Sequence, residues 1–255
     1  MSATVIERRV MSTFEAKLLV VDDADAVARS AAERFVELAR EAINASERFS
    51  VALAGGSTPK HTYELLASEA YGPQVDWSKA HIFFGDERCV PPDDAESNYR
   101  MANEALISRV PIPPRNIHRM NGQGDAVTNA SLYEDELRTF FNGASRPRFD
   151  LILLGMGDDG HTASLFPGTK ALAEQSAWVV ANWVEKFGSF RITLTATAIN
   201  HAANIVFLVS GAGKAKRLSQ VLRGARDPTK LPAQLIQPES GSLAWFVDKT
   251  AASQL

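Results

Sequence analysis

Residues 150–168 read DLILLGMGDDGHTASLFPG, and this segment is the most informative about the fold. Its apolar residues 151–154 predict a short buried strand, and the glycines that follow allow the chain to turn sharply at the end of that strand. Ligands of open parallel sheets bind at the carboxyl edge of the strands. We therefore expect His161, just past the glycine-rich turn, to lie in a catalytic site at such an edge.

The sequence on both sides of this stretch alternates between strand and helix patterns. Such alternation predicts an α/β fold, with a doubly wound, mostly parallel sheet and helices on both faces. The length fits a single domain over residues 1–255, within which residues 1–15 carry no clear signal. Strands are predicted at residues 17–21, 49–54, 81–84, 116–119, 151–154, 178–184, 191–194, 205–210 and 243–247, and helices at residues 24–43, 57–66, 97–107, 130–141 and 214–222.

Composition and charge narrow the class of protein. A net charge of -3 gives no general attraction for nucleic acid or an anionic membrane, so we expect a small-molecule partner. The single cysteine, Cys89, allows no disulfide within the chain and no thiolate metal site, which fits a reducing cytoplasm. No segment approaches 18 consecutive apolar residues, and no export signal is expected. The histidines other than His161 lack metal-ligand spacing and are expected to be structural; they are His61, His81, His118 and His201.

Three glycines of the opening stretch also spell a dinucleotide-binding pattern, G-x-G-x-x-G, at residues 155–160. Asp158 and Asp159 would then place two carboxylates beside a pyrophosphate, which is unfavourable. Pro167 would also shorten the helix whose dipole should face the phosphates. This alternative is therefore weak.

A second candidate site is the segment GGSTP at residues 55–59, between a predicted strand and a predicted helix. Glycines let the backbone approach a phosphate, and hydroxyls and helix N–H groups donate to it. Ordinary helix capping by Ser57 or Thr58 explains the same residues about equally well. The segment also approximates the nucleophile elbow G-x-S-x-G, but Pro59 replaces the last glycine.

Charged residues follow other predicted strands. The run Asp86-Glu87-Arg88 ends one strand, and such a run is most often a solvated loop, although its position at the sheet edge favours function. Arg191 and Lys214 would each bring a cation to the same edge, although a surface charge is the simpler interpretation of Arg191. Lys214 does not belong to a P-loop, because the required first glycine and following hydroxyl residue are missing.

These segments together resemble the glucosamine-6-phosphate isomerase/6-phosphogluconolactonase family. The resemblance rests, in order, on GGSTP at residues 55–59, GDERCVP at 85–91, SNYRM at 97–101, GMGDDGHTASLFPG at 155–168, and the segments around Arg191 and Lys214. It implies a sugar-phosphate isomerase-like fold, a modified Rossmann arrangement, without an essential cofactor. It also implies hydrolysis of 6-phosphoglucono-δ-lactone in the pentose phosphate pathway.

The resemblance assigns roles to individual residues. His161 would be the general base, because the ordinary pKa of histidine, about 6.5, lets neutral imidazole accept a proton at cellular pH. Asp159 would orient the imidazole or bind a sugar hydroxyl, and Arg88 would hold the lactone oxygen or the carboxylate product. The remaining substrate-binding residues, most of them for the 6-phosphate, would be Gly55, Gly56, Ser57, Thr58, Asp86, Gly160, Arg191 and Lys214.

Two rivals remain at this point. The related sugar-phosphate deaminases carry an Asn-Glu pair for ring opening after the histidine, whereas residues 164–167 here are Ser-Leu-Phe-Pro, with no acid. A non-catalytic sugar-phosphate sensor would keep the phosphate cradle but would not need His161. The oligomeric state, regulation and tolerance for the γ-lactone stay open.

Overall fold

A computed structural model describes residues 4–9 and 15–255. The helices and strands follow most of the predicted bounds, and the α/β class is confirmed. Strands in the described residues are β1 (Thr4–Arg9), β2 (Glu15–Val21), β3 (Phe49–Leu53), β4 (Ala80–Phe84), β5 (Asp86–Arg88), β6 (Leu151–Leu154), β7 (Val179–Val184), β8 (Ser189–Leu194), β9 (Asn204–Val209) and β10 (Ser242–Asp248). The α-helices are α1 (Ala24–Ser46), α2 (Ser57–Leu66), α3 (Asn98–Ala105), α4 (Ala126–Phe140), α5 (Ala196–Ile199) and α6 (Ala215–Arg223).

The main sheet has seven strands in the order β1-β2-β10-β9-β6-β3-β4. Its last six strands pair in parallel, and only β1 runs antiparallel to its neighbour β2. From β3 the chain first adds β4 on one side and then returns to place β6 on the other side. The winding direction therefore reverses between β3 and β6, and this is where open α/β sheets form their ligand crevice.

Helices cover both faces of this sheet, as predicted. Phe49 of β3 packs on Phe35 of α1, with ring centroids 5.1 Å apart. Phe83 of β4 pairs with Ala52, three register positions beyond Phe49, so it lies on the opposite face. It packs on Phe140 of α4 with centroids 4.9 Å apart. Because side chains alternate along a strand, α1 and α4 must lie on opposite faces. Phe35, Phe49 and Phe83 are fully buried at these contacts between helix and sheet.

A second, antiparallel sheet of three strands, in the order β5-β8-β7, corrects the predicted architecture. The two strands predicted at 178–184 and 191–194 exist, but they form a hairpin in this sheet and do not extend the parallel one. The charged run at 86–88 is also a strand, which pairs with β8. Local sequence does not encode which strand a segment pairs with, and the charges on β5 hide its strand character.

Smaller differences have local causes. The strand predicted at residues 116–119 is wrong: Pro114–Asn116 forms a short 3₁₀ helix, and only Ile117 makes an isolated bridge, to Ile82. The helix α4 begins before its predicted start at residue 130, because the side chain of Asp125 accepts a hydrogen bond from the N–H of Thr128 at 2.8 Å and caps it there. The segment 1–15, uninformative as sequence, contributes the edge strand β1, and its other residues before Glu15 lie outside the described residues. In the part of the chain that the structure describes, no helix is long and apolar enough to cross a membrane.

Candidate active site

A cavity of about 420 Å³ lies where the winding reverses, at the carboxyl ends of β3 and β6. This volume suits a small molecule. It brings together nine of the eleven predicted site residues, although they come from five separate segments of the chain: Gly55, Gly56, Ser57, Thr58, Asp86, Arg88, His161, Arg191 and Lys214.

The other two predicted residues, Asp159 and Gly160, lie behind His161 and do not line the cavity. Asp159 Oδ1 is 2.5 Å from His161 Nδ1, and it also accepts the backbone N–H of His161 at 3.1 Å. Gly160 has a φ of 86°, which favours glycine, and its N–H donates to the carbonyl oxygen of Gly157 at 3.0 Å. Both residues therefore shape the turn that presents the imidazole.

The hydrogen bond to His161 fixes the charge state of Asp159. Partial burial disfavours the carboxylate, but the hydrogen bond from the imidazole, the charges of His161 and Lys186 and the backbone N–H outweigh it. Together they lower the pKa of Asp159 to about 2. Asp159 is thus ionised at neutral pH, and Nδ1 of the neutral imidazole carries the proton that is donated to it. Nε2 is then left with a free lone pair to accept a proton.

Two further contacts hold the imidazole, and neither was predicted from the sequence. The ring of Phe166 stacks on that of His161, with centroids 4.1 Å apart and planes at 27°. Gly157 lies so close to the imidazole that a Cβ at position 157 would be 2.0 Å from His161 Nδ1. Glycine is therefore required at 157 by close approach of the side chain. Both residues lie within residues 150–168, but only the folded turn shows what they contact.

The GGSTP segment contains the start of α2 and leaves the first N–H groups of this helix without a side-chain cap. The structure places Gly56, with a φ of 104°, at the N-cap of α2, and no side chain caps this helix. Ordinary capping by Ser57 or Thr58 is therefore not what these residues do. Thr58 Oγ1 instead lies 2.7 Å from the hydroxyl of Ser210, a further cavity residue that the sequence analysis did not single out. The uncapped N–H groups at the start of α2 and these hydroxyls lie at the cavity. This concentration of donors favours an anion there.

Three cations line the same cavity. Arg191 is only 8% exposed, and within residues 4–9 and 15–255 no carboxylate lies within 4.0 Å of its side chain. Burial, followed by repulsion from Arg88, lowers the pKa of Arg191. A buried guanidinium with no carboxylate within ion-pair distance is costly, so the cavity beside Arg191 favours an anion. Lys214 Nζ contacts Asp158 Oδ1 at 2.5 Å, but Asp158 is well exposed.

The strand β5 explains the run of three charges. Alternation along the strand turns Asp86 and Arg88 toward the cavity and Glu87 away from it. Glu87 is 3% exposed and caps α3, since it accepts hydrogen bonds from the backbone N–H groups of Asn98 and Tyr99 at 2.8 Å each and from the hydroxyl of Ser97 at 3.0 Å. The middle charge is therefore structural, and the outer two belong to the site.

Asp86 is itself fixed by residues whose role the sequence did not reveal. Ser164 Oγ donates to Asp86 Oδ2 at 2.6 Å, and Asn98 Nδ2 donates to the backbone oxygen of Asp86 at 2.9 Å. The amide of Asn98 also fills the space beside Gly55, where a Cβ would lie 2.0 Å from its oxygen. These contacts tie the ends of β3, β5 and β6 into one site.

The segment after β6 does not have the structure that the dinucleotide-binding alternative requires. No helix follows β6 before a short 3₁₀ helix at Lys170–Ala173, so the dinucleotide-binding alternative lacks the helix whose N-terminus would face a pyrophosphate. The four other histidines do not line the cavity. In the part of the chain that the structure describes, no group of three or more His, Cys, Asp or Glu side chains is arranged to hold a metal ion.

An α/β fold that holds a histidine–aspartate pair and an anion cradle at its topological switch point defines a class of enzymes that act on small anionic substrates. The chain belongs to the family of glucosamine-6-phosphate isomerases/6-phosphogluconolactonase, whose model matches residues 22–245. The resemblance noted from the sequence is thereby confirmed.

Relatives and solved structures agree with this membership. The chain is 43% identical over 217 residues to the 6-phosphogluconolactonase of a Nostoc species, with 84% of this chain and 88% of that protein covered. It is 46% identical over 208 residues to the 6-phosphogluconolactonase of a Synechocystis species, with 80% and 84% covered. The structure of 6-phosphogluconolactonase from Trypanosoma cruzi superposes with a TM-score of 0.85 at 30% identity, over 97% of this chain and 99% of that one.

Proposed function

We propose that this protein hydrolyses 6-phosphoglucono-δ-lactone to 6-phosphogluconate in the pentose phosphate pathway, by general-base activation of water, and that residues 1–255 act as one catalytic domain. The observation that carries the proposal is the pair His161–Asp159, with Nδ1 and Oδ1 at 2.5 Å, beside a cavity that also holds an anion cradle. The lactonase relatives, at 43% and 46% identity, support the choice of substrate.

The 6-phosphate would occupy the cationic and N–H-rich part of the cavity. The start of α2 at Gly56, Ser57 and Thr58 offers backbone and hydroxyl donors to its oxygens. Arg191 and Lys214 would neutralise its charge, and the unpaired Arg191 gains most because it is buried. Phosphate binding would thus fix the sugar ring beside the imidazole, which lowers the entropic cost of the reaction.

The chemical step would use a water molecule, His161 as its base, Arg88 beside the oxyanion and Asp159 beside the imidazolium. Nε2 of His161 takes a proton from water as its oxygen bonds to C1 of the lactone, and the carbonyl oxygen becomes an oxyanion that Arg88 stabilises. The tetrahedral intermediate then collapses, the bond between C1 and the ring oxygen breaks, and the imidazolium returns its proton to that oxygen. Asp159 stabilises the imidazolium while it lasts.

The proposed roles keep the assignments made from the sequence. Asp86, held by Ser164 and Asn98, would accept a hydrogen bond from a sugar hydroxyl. The proposed catalytic residues are His161, Asp159 and Arg88, and the proposed substrate-binding residues are Gly55, Gly56, Ser57, Thr58, Asp86, Gly160, Arg191 and Lys214.

Deamination of an amino sugar phosphate is the nearest rival chemistry. It needs an acid after the catalytic histidine for ring opening, and residues 162–168 contain none. Acid release from freshly made 6-phosphoglucono-δ-lactone, followed at limiting enzyme beside ammonia release from glucosamine 6-phosphate, separates the two. We expect acid well above the spontaneous rate and no ammonia. Ammonia without accelerated acid release would overturn the proposal in favour of the deaminase.

A further inference from the structure

The hairpin of β7 and β8 carries an aromatic residue, Phe187, at its turn. Phe187 is 47% exposed and lines the cavity, although it has no role in the proposed chemistry. Arg191, the buried cation proposed for the phosphate, lies four residues further along the same hairpin, on β8. The hairpin thus brings an exposed apolar ring and a phosphate-binding cation into one cavity wall.

Close contacts join Phe187 to Arg191, the cation proposed for the phosphate, and through Phe166 to His161, the proposed base. The guanidinium carbon of Arg191 lies 5.0 Å from the centre of the Phe187 ring, within the range of a cation–π contact. On its other side Phe187 meets the ring of Phe166 in an edge-on contact, with centroids 5.6 Å apart and planes at 77°. Phe166 in turn stacks on His161. A continuous series of packed rings therefore runs from the phosphate cation to the base.

A second contact brings the same turn to the other member of the catalytic pair. Nζ of Lys186, the residue before Phe187, lies 3.9 Å from Oδ2 of Asp159. The position of the hairpin turn is therefore set against both His161, through Phe166, and Asp159.

We propose that Phe187 is a positioning and specificity-determining residue that makes turnover depend on the substrate's phosphate. A phosphate on Arg191 fixes the guanidinium over Phe187, and Phe187 then holds Phe166 against the imidazole in its reactive orientation. An unphosphorylated lactone leaves Arg191 without its anion, so the base is less well held. This inference rests on the proposed function. It describes how binding of a remote group is used to raise kcat.

The test compares three variants on two substrates, 6-phosphoglucono-δ-lactone and glucono-δ-lactone, with spontaneous hydrolysis subtracted. Phe187→Ala removes the ring, and Phe187→Tyr restores it. Phe190→Ala is the matched control, because Phe190 is on the same hairpin and 38% exposed but packs on Trp183 away from the cavity.

For Phe187→Ala we expect kcat on the phosphorylated lactone to fall about tenfold, while kcat on the unphosphorylated lactone changes less than about twofold. Phe187→Tyr should recover most of the lost kcat, and Phe190→Ala should behave as the unmodified protein. An equal fall on both substrates would reduce Phe187 to a general structural part and overturn the inference. A rise in KM alone would also overturn it, since Phe187 would then only support Arg191.

The activity of the unmodified protein distinguishes failure of the proposed function from failure of the inference about Phe187. If it does not accelerate hydrolysis of the phosphorylated lactone, the proposed function fails and this inference fails with it. If it does, and Phe187→Ala retains its full kcat, only the inference about Phe187 fails.

Discussion

At the scale of single residues, the imidazole of His161 is held by a hydrogen bond, an aromatic face and a glycine. Asp159 fixes the tautomer, and because its pKa is lowered to about 2 it is a carboxylate at neutral pH. A fixed anion beside Nδ1 favours the imidazolium that forms when Nε2 takes a proton. The turn thus fixes the tautomer of the imidazole that the proposed general-base role requires.

Gly157 gives the sharpest single-residue prediction. Gly157→Ala would place a Cβ 2.0 Å from His161 Nδ1 and 2.9 Å from Asp159 Oδ1, so the pair must move. We expect kcat for 6-phosphoglucono-δ-lactone to fall about 100-fold or more, since small displacements of a catalytic group have effects of this order. The measurement is steady-state kinetics, with circular dichroism to show that the fold is kept.

The matched control is Gly213→Ala, where a Cβ meets nothing within 4 Å and φ is not in the left-handed region. It should retain its kcat. Full activity in Gly157→Ala would show that the observed clamp on His161 is not needed for turnover.

At the scale of elements, the sequence revealed the strands that are mostly apolar and missed two that carry several charges, β1 and β5. The strands β3, β6 and β9 are nearly uniform apolar runs because both faces of the sheet are covered. By contrast, β5 alternates between the cavity and the cap of α3, so all three of its residues are charged. Its strand character comes from pairing with β8, which local sequence does not encode.

Packing of α4 against the edge strand β4 has a consequence for acid stability. On β4, His81 Nδ1 lies 3.2 Å from Nε2 of His118, whose other nitrogen contacts Glu136 of α4 at 2.6 Å. Burial, followed by the charges of His118, Arg48 and Arg115, lowers the pKa of His81 to about 4. The folded protein therefore binds fewer protons here than the unfolded chain, and the stabilisation present above about pH 6.5 is lost as the pH falls toward 4.

We expect His81→Gln to reduce the loss of unfolding free energy between pH 7 and 4.5 by about 1 kcal/mol, a value that allows for solvent screening of a half-exposed ring. Urea unfolding at the two pH values measures this. His61→Gln is the control, because His61 lies on the surface beside Asp25. An identical pH dependence in the unmodified protein and His81→Gln would contradict the account of this helix–strand contact.

At the scale of the whole molecule, the site exists only where the winding of the sheet reverses. Strand-end positions, together with the family resemblance, were enough to predict that His161, Arg88 and the GGSTP segment lie at one cavity, because parallel strands bring their carboxyl ends to one edge. The roles of Phe166 and Phe187 depend instead on how the turn after β6 meets the β7–β8 hairpin. The strand β6 and the β7–β8 hairpin belong to different sheets, so the spacing of residues along the chain does not predict this contact.

The proposed binding of the 6-phosphate beside Arg191 and Lys214 predicts the effect of Lys214→Ala. We expect KM for 6-phosphoglucono-δ-lactone to rise about tenfold or more, as for loss of one charged hydrogen bond, with little change for the unphosphorylated lactone. Initial rates over a range of both substrates measure this. Lys216→Ala, on an exposed position of α6, is the control and should leave KM unchanged. Equal weakening for both lactones would refute the phosphate role of Lys214.

The central claim, that His161 is the general base, is tested most directly by the kinetics of His161→Ala on freshly made 6-phosphoglucono-δ-lactone, with His61→Ala measured beside it. We expect His161→Ala to lower kcat by about 10² to 10⁴-fold while KM changes little, because the proposed base acts on water and the proposed phosphate-binding residues are unchanged. His61→Ala should turn over at the rate of the unmodified protein. Unchanged kcat in His161→Ala would contradict the account.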